Sequence, residues 1–476
     1  MKTHQIFQNI EITDISTEGK GIGRVNNIVC FIDRALPGDV VDVEITKKKS
    51  NYREGRVIQY QKRSENRTQP ICKHFGTCGG CKWQDLSYTT QLFYKQKYVT
   101  DALSRIGQLS FETATQLLPI ISSKNIFNYR NKLEFTFSNK KWLTNEEIKT
   151  VLADNTGYRT DKNTHAALGF HIPKLFDKVL DIQECHLQDD FSNTIRSEVK
   201  KYALENDLSF HDIRKREGFL RNLIIRNTSI GQWMVVVVFF YEDEKAISQL
   251  MNHLQKKFSQ ITSLQYIVNT KPNDTIFDLS VISFSGKEYI EEKLEGLKFR
   301  ISPKSFFQTN STQAYELYKI TRDFAALSGS EIVYDLYTGT GTIANFVASK
   351  AKKVVGMEYV ADAIEDAKIN SQINNIFNTH FFAGDIKDLL NDKMIAEYGK
   401  PEVIITDPPR AGMHEDIVRK MLEIAPERIV YVSCNPATQA RDISILNEKY
   451  SVEKVQPVDM FPHTAHVESV AKLIRK

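Results

Sequence analysis

The stretch that decides the fold is EIVYDLYTGTG, Glu331 to Gly341. Its first half reads as a buried strand and its second as a Gly-x-Gly turn that opens a helix. Gly339 and Gly341 allow the backbone to approach a ligand at the carboxyl edge of a sheet. Such a turn by itself serves any nucleotide, or only a tight corner, so the flanking sequence has to decide. From about Ser305 onward the segments KVVGMEY, THFFAGD, EVIITDPP, RIVYVSC and SVEKVQPVDMF read as strands that alternate with helices. That alternation predicts an α/β domain with a parallel, doubly wound sheet. Glu358, Asp385 and Asp407 then end the second, third and fourth strands, the first placed for ribose hydroxyls and the second for a base amino group. Each acid alone would be a helix cap or a solvated strand end. Together with the glycine turn they predict a cofactor crevice on one edge.

Upstream, Phe127 to about Phe299 alternates strands (LEFTFS, LIIRN, MVVVVFF) with helices (Asp189–Asn206 and Glu244–Lys257), a mixed α+β segment. A helix is expected from Tyr88 to Ile106. The first sixty or so residues read as short strands (IEITDIS, GIGRVNNIVCFID, DVVDVEIT) with a Pro37-Gly38-Asp39 turn, the pattern of a small β-barrel. Lys47 to Arg67 carries eight basic residues against two acidic ones, with Tyr52 and Tyr60 interleaved. Charge for phosphates beside aromatic faces for stacking suits single-stranded nucleic acid; a solvated basic linker is the plainer alternative.

The chain of 476 residues has a net charge of +4, 41% apolar and 26% charged residues. These values fit a multidomain globular protein of about three domains and exclude a disordered or collagen-like chain. The longest apolar run, Trp233 to Tyr241, is half a membrane span and reads as a buried strand. MKTHQIFQNI has no apolar signal region, so a cytoplasmic protein with no membrane attachment is expected.

Cys72, Cys78 and Cys81 follow a Cys-x5-Cys-x2-Cys spacing threaded with glycine, and Cys185 in LDIQECHLQ is the natural fourth member. Four thiolates suit zinc or an iron–sulfur cluster, and the spacing does not separate the two. Cys434, in YVSCNPAT, lies between a strand and a helix. A thiol beside a helix N-terminus is expected to have a lowered pKa and to act as a nucleophile. His463, His466 and Glu468 in HTAHVES are the acid–base candidates nearby.

With these motifs assembled, the sequence resembles the bacterial RNA uracil-C5 methyltransferase family, in its RumA/RlmD-like ribosomal branch. SFFQTN, DLYTGTGT, GMEY, TDPPRAG, VSCNPAT and HTAHVES match in order, and the resemblance covers nearly the whole chain. It implies an N-terminal TRAM barrel (1–62), a central RNA-binding domain with a [4Fe–4S] site (63–300) and a Rossmann-like methyltransferase domain (301–476). It also implies that the helix at 88–106 packs on the catalytic domain. By the same resemblance Gln308, Tyr337, Glu358 and Asp407 contact S-adenosyl-L-methionine, with Asp385 as a further contact. Cys72, Cys78, Cys81 and Cys185 hold the cluster, Cys434 is the nucleophile that adds to uracil C6, and Glu468 is the base that removes the C5 proton. Thr342 departs from the asparagine that relatives often place there. Arg130 and Lys132 would join the basic strip in binding RNA.

Arg410 stands where amino-group methyltransferases place a base-stacking aromatic, which argues against an exocyclic nitrogen as acceptor. The cysteine spacing also differs from the Cys-x3-Cys-x2-Cys of radical enzymes. Barrel and cysteines together suggest 23S ribosomal RNA as substrate, with transfer RNA as the alternative, and a monomeric enzyme. A binding protein with an inactive methyltransferase fold is the non-enzymatic reading.

Overall fold

The computed structural model describes residues 5–111, 115–144, 147–149 and 165–476. The N-terminal segment is a closed barrel of β1 (Ile6–Ile15), β2 (Gly21–Val25), β3 (Ile28–Asp33), β4 (Val40–Lys48) and β5 (Tyr52–Lys62), in the order β1-β2-β3-β5-β4. Ile12, Val25, Cys30, Ile32, Val41, Val43 and Ile45 fill it. GIGRVNNIVCFID, read above as one strand, is two. The chain reverses at Asn26 and Asn27, whose φ values of 49° and 63° lie in the left-handed region that asparagine tolerates. Most of the basic segment is barrel wall rather than a strip beyond it, because β5 pairs in parallel with β3 and antiparallel with β4. Gly55 permits that closure, since a Cβ there would sit 2.4 Å from Val43 Cγ1.

The expected helix is α1 (Tyr88–Arg105), begun by the Ser87 cap. Its Val99 and Leu103 join the apolar cluster of the C-terminal half, where α1 lies against the helix Pro436–Leu446. A short strand, β6 (Gln116–Leu117), follows and completes the edge of the C-terminal sheet.

The central segment is a seven-stranded sheet of β7 (Lys132–Ser138), β8 (Ala167–Ile172), β9 (Leu175–Asp181), β10 (Leu220–Asn227), β11 (Trp233–Phe239), β12 (Ile261–Val268) and β13 (Ile282–Gly286). It carries α2 (Asp190–Glu205), capped by Asp189, and α3 (Glu244–Lys257), capped by Asp243. Every residue of β11 is buried, as its unbroken apolar run requires. A hairpin, β14 (Ile290–Leu294) and β15 (Leu297–Ile301), leads into the last segment.

There, α4 (Ser311–Ala325) precedes β16 (Ile332–Leu336), α5 (Thr342–Ala348), β17 (Lys353–Glu358), α6 (Ala361–Ile373), β18 (Thr379–Ala383), α7 (Ile386–Leu389) and α8 (Asp392–Tyr398). β19 (Val403–Thr406), α9 (Glu415–Ile424), β20 (Arg428–Ser433), α10 (Pro436–Leu446), β21 (Tyr450–Val458) and β22 (Glu468–Arg475) complete it. The sheet order is β18-β17-β16-β19-β20-β22-β21-β6, which reverses between β16 and β19 and so opens a crevice at their carboxyl ends. The sheet is parallel from β18 to β20, but β22 runs antiparallel to both β20 and β21, which corrects the wholly parallel expectation. No helix among the described residues is long and apolar enough to cross a membrane.

Candidate active site

The crevice begins at the end of β16. Tyr337 has φ 64°, Gly339 φ 55° and Gly341 φ 71°, so the chain turns sharply into α5. Gly341 is packed tightly, a Cβ there falling 2.8 Å from Ala367 Cβ, whereas nothing lies within 4 Å of a Cβ at Gly339. The Gly339 N–H donates to Glu358 Oε2 (3.2 Å) and the Val360 N–H to Glu358 Oε1 (3.0 Å), which sets the carboxylate at the crevice floor. Tyr337 is half-buried beside Asp442, Asp385 and Glu358, and burial followed by these charges pushes its hydroxyl up to about 12. Asp385 is exposed and caps α7, its Oδ1 accepting from the Lys387 N–H at 2.9 Å. Thr342, first residue of α5, keeps its hydroxyl 3.2 Å from that of Thr340. Gln308 is half-buried, and its carbonyl accepts from Asn131 Nδ2 (2.9 Å), a link from the central segment.

Asp407, at the end of β19, is pushed up to about 7 by burial and by Asp335. Asp335 is itself raised to about 7, chiefly by burial. Its Oδ2 accepts from Thr338 Oγ1 (2.5 Å).

Cys434 and Glu468 meet across the β20–β22 pair. Ser433 pairs with Ser469, so the residues beside these two positions share one rung. Glu468 is buried, and its pKa is raised well above the usual carboxylate range by burial and then by Asp407, with Arg410 opposing. Cys434 is pushed up to about 12 by burial and then by Glu468 and Asp407, again with Arg410 opposing. This corrects the expected lowering. Asn435, not Cys434, caps α10, and burial together with two nearby carboxyls outweighs one guanidinium. Arg410, noted in the sequence only for what it is not, is thus the positive charge of the site. Its carbonyl accepts from Asn435 Nδ2 (2.9 Å), and its Nη2 lies 3.3 Å from His466 Nδ1.

The two histidines part ways. His466 keeps part of its surface exposed beside Arg410, and partial burial followed by that charge lowers its pKa to about 4. His463 is buried, stacks on Phe127 at 4.4 Å and is likewise lowered to about 4 by burial. It faces α1 rather than Cys434. Neither is charged near neutral pH. The residues missed in the sequence are those of α1 (Tyr88, Gln91 and Lys95), a polar stripe at helical spacing that reads as solvated and is in fact turned inward.

Cys72, Cys78, Cys81 and Cys185 line one cavity of about 350 Å³ with Arg130, His74 and Pro173. Gln84 Oε1 accepts from the Cys72 N–H (2.8 Å), and its Nε2 lies 3.9 Å from Cys81 Sγ. Asn193 Oδ1 accepts from the Cys185 N–H at 2.9 Å. Among the described residues no three His, Cys, Asp or Glu side chains close on a single metal ion. Four thiols lining one cavity are a donor set that zinc and an iron–sulfur cluster share.

Comparison with known proteins places the chain in a family. Residues 227–476 match the tRNA (Uracil-5-)-methyltransferase family and residues 7–58 the TRAM domain. An uncharacterized RNA methyltransferase of Bacteroides thetaiotaomicron is 54% identical over 462 residues, 96% of this chain and 99% of that one. One from Porphyromonas gingivalis is 52% identical over 470 residues, 98% of this chain and 99% of its own. Among solved structures, the Pyrococcus abyssi tRNA (uracil-54, C5)-methyltransferase in complex with S-adenosyl-L-homocysteine superposes with a TM-score of 0.75 at 28% identity. The match covers 98% of this chain and 100% of that one. The chain is a member of the S-adenosylmethionine-dependent RNA (uracil-5-)-methyltransferase family, with a TRAM domain at its N-terminus.

Proposed function

We propose that this protein forms 5-methyluridine in 23S ribosomal RNA through a covalent adduct between Cys434 and uracil C6. The observation that carries the reading is the meeting of Cys434, Glu468, Asp407 and Arg410 beside the crevice of β16 and β19. Gln308, Tyr337, Glu358, Asp385 and Asp407 would hold S-adenosylmethionine, which supplies an electrophilic methyl group for C5.

Uracil C5 is a poor nucleophile until C6 is attacked. Cys434 loses its proton to solvent, and the thiolate Sγ adds to C6 while the C5–C6 π electrons move toward O4. Arg410 is the cation available to that developing negative charge. After methylation Glu468, as carboxylate, takes the C5 proton. The C5–H electrons re-form the C5–C6 double bond, and the C6–S bond breaks to return the Cys434 thiolate. A carboxyl raised by burial is a correspondingly stronger base once ionised. The uridine must leave its stack to reach Sγ, at a cost of a few kcal/mol in a duplex and less in a loop.

We place a [4Fe–4S] cluster on Cys72, Cys78, Cys81 and Cys185, supported by the four-thiol cavity. It would supply thiolate cross-links between the segment before α1 and the segment before α2. The basic wall of the barrel, with Arg130 and Lys132, would hold the RNA.

Transfer RNA is the second reading. The Pyrococcus abyssi enzyme, named for uracil 54 of transfer RNA, aligns over its whole length, so barrel and central segment do not by themselves mark a ribosomal substrate. Protein purified without oxygen, with labelled methyl donor and both RNAs from a strain lacking the gene, decides. Label in 5-methyluridine of 23S RNA supports the proposal, and label in transfer RNA moves the substrate while keeping the chemistry. No label in either overturns both.

A further inference from the structure

Among the described residues no hydrogen bond holds the Glu468 carboxyl, so its position depends on the backbone that carries it and on the packing around it. β22 begins at Glu468, which pairs with Val458 of β21. The intervening loop, Asp459 to Val467, therefore sets where the base stands. One face of α1 holds that loop at every second residue. Tyr88 Oη donates to Asp459 Oδ2 (2.9 Å), and Lys95 Nζ donates to Asp459 Oδ1 (2.6 Å) and to the Phe461 carbonyl (2.9 Å). Gln91 Oε1 accepts from the His463 N–H at 2.8 Å. Spacings of three and four residues bring all three side chains onto one helical face.

Gln91, fully buried, also ties the loop to the chain leaving the cysteine cavity. Its Nε2 donates to the carbonyls of Trp83 (2.9 Å) and Leu86 (2.8 Å) and lies 3.3 Å from His463 Nδ1. The His463 carbonyl accepts in turn from the backbone N–H groups of Lys82 (2.8 Å) and Trp83 (3.0 Å), next in the chain after Cys81. His463 has φ 65°, a left-handed conformation that strains a residue with a Cβ and persists only when its surroundings impose it. These contacts impose it.

We propose that Gln91 is a positioning residue for the base, joining the cysteine segment to the loop that carries Glu468. The inference rests on the reading of Glu468 as the group that removes the C5 proton. Losing Gln91 then leaves attack by Cys434 intact and slows the release step.

The test is single-turnover methylation by the full-length protein, with labelled donor and RNA from the deletion strain, followed on denaturing gels. Gln91→Leu keeps the apolar volume and removes both amide functions. Its expected mark is accumulation of methylated RNA bound to protein, with release slowed on the order of 10- to 100-fold and adduct formation unchanged. Gln91→Glu keeps the acceptor for the His463 N–H and should release faster than Gln91→Leu.

Wild-type release from folded Gln91→Leu, or equal slowing of formation and release, overturns the inference. Where Gln91→Leu does not fold, Gln91→Glu decides alone: an adduct that persists beyond wild type supports the inference, and wild-type release overturns it. Glu468→Gln, run alongside, separates the two readings. If it traps no adduct, the assignment of the base fails. If it traps and the Gln91 variants do not, only the role of Gln91 fails.

Discussion

Lys95 and Asp459, 364 residues apart in the chain, form an ion pair at 2.6 Å with both side chains fully buried. Burial lowers the Lys95 pKa, and Asp459 opposes the shift. The pair is completed by Tyr88 Oη and the Phe461 N–H on the carboxylate. Lys95→Met strands a buried carboxylate and should cost about 3–5 kcal/mol of stability. The double variant with Asp459→Leu should recover much of that loss, as read from urea unfolding midpoints.

The thiol of Cys434 rises to about 12, so little of it is thiolate near neutral pH. Alkylation of Cys434 by iodoacetamide in the free protein, mapped by peptide mass, should rise about tenfold per pH unit from roughly pH 7 to 9 with no plateau. Arg410→Ala removes the charge that favours the thiolate and should slow alkylation further at every pH. A plateau near neutrality would show an activated thiol instead.

Asp335 rises from 3.8 to about 7 on folding. The folded chain then binds this proton more tightly than the unfolded chain, so stability falls as pH rises from 3.8 to about 7 and levels above it. Asp335→Asn removes up to about 1.4 kcal/mol per pH unit of that slope. Unfolding of wild type and variant across this range measures the difference.

Cys434→Ala should abolish both methyl transfer and any covalent RNA complex. Glu468→Gln should still form the complex and hold it, with label in the trapped RNA. A complex that persists in Cys434→Ala would remove Cys434 as nucleophile.

Cys185 lies far in sequence from the other three thiols yet lines the same cavity. Cys185→Ser should lower the iron and sulfide content of anaerobically purified protein and lower its melting temperature. Unchanged iron content would show that Cys185 is no ligand.

Elements whose burial pattern is local could be read from the sequence, and elements defined by distant partners could not. The helix Glu244–Lys257 announces itself through the Asp243 cap and its apolar stripe, and β11 through an unbroken apolar run. β22 escapes because ESVAKLIR is buried on nearly all sides and shows no alternation. The strand turn at Asn26-Asn27 has a local mark, two polar residues across which the buried positions change from odd to even, and it is lost when the run is read as one strand. At the site, residue types and strand ends name Glu358, Asp407, Cys434 and Glu468. The direction of the Cys434 shift is set first by burial and then by carboxyls on two other strand ends, and only folding brings these about. Tyr88, Gln91 and Lys95 look like a wetted face because their partners lie at the other end of the chain.

The edge position of β6 and the seat of α1 on α10 also govern the order in which the protein can be made. Both pieces leave the ribosome early, while the helix and strand that cover them, Pro436–Leu446 and Tyr450–Val458, follow only about 300 residues later in the chain. Until then Val99 and Leu103 have no apolar cover, and the nascent chain carries an unfinished surface through most of its synthesis. A product broken off before residue 436 would keep that surface for good, a natural mark for chaperones and proteases to read.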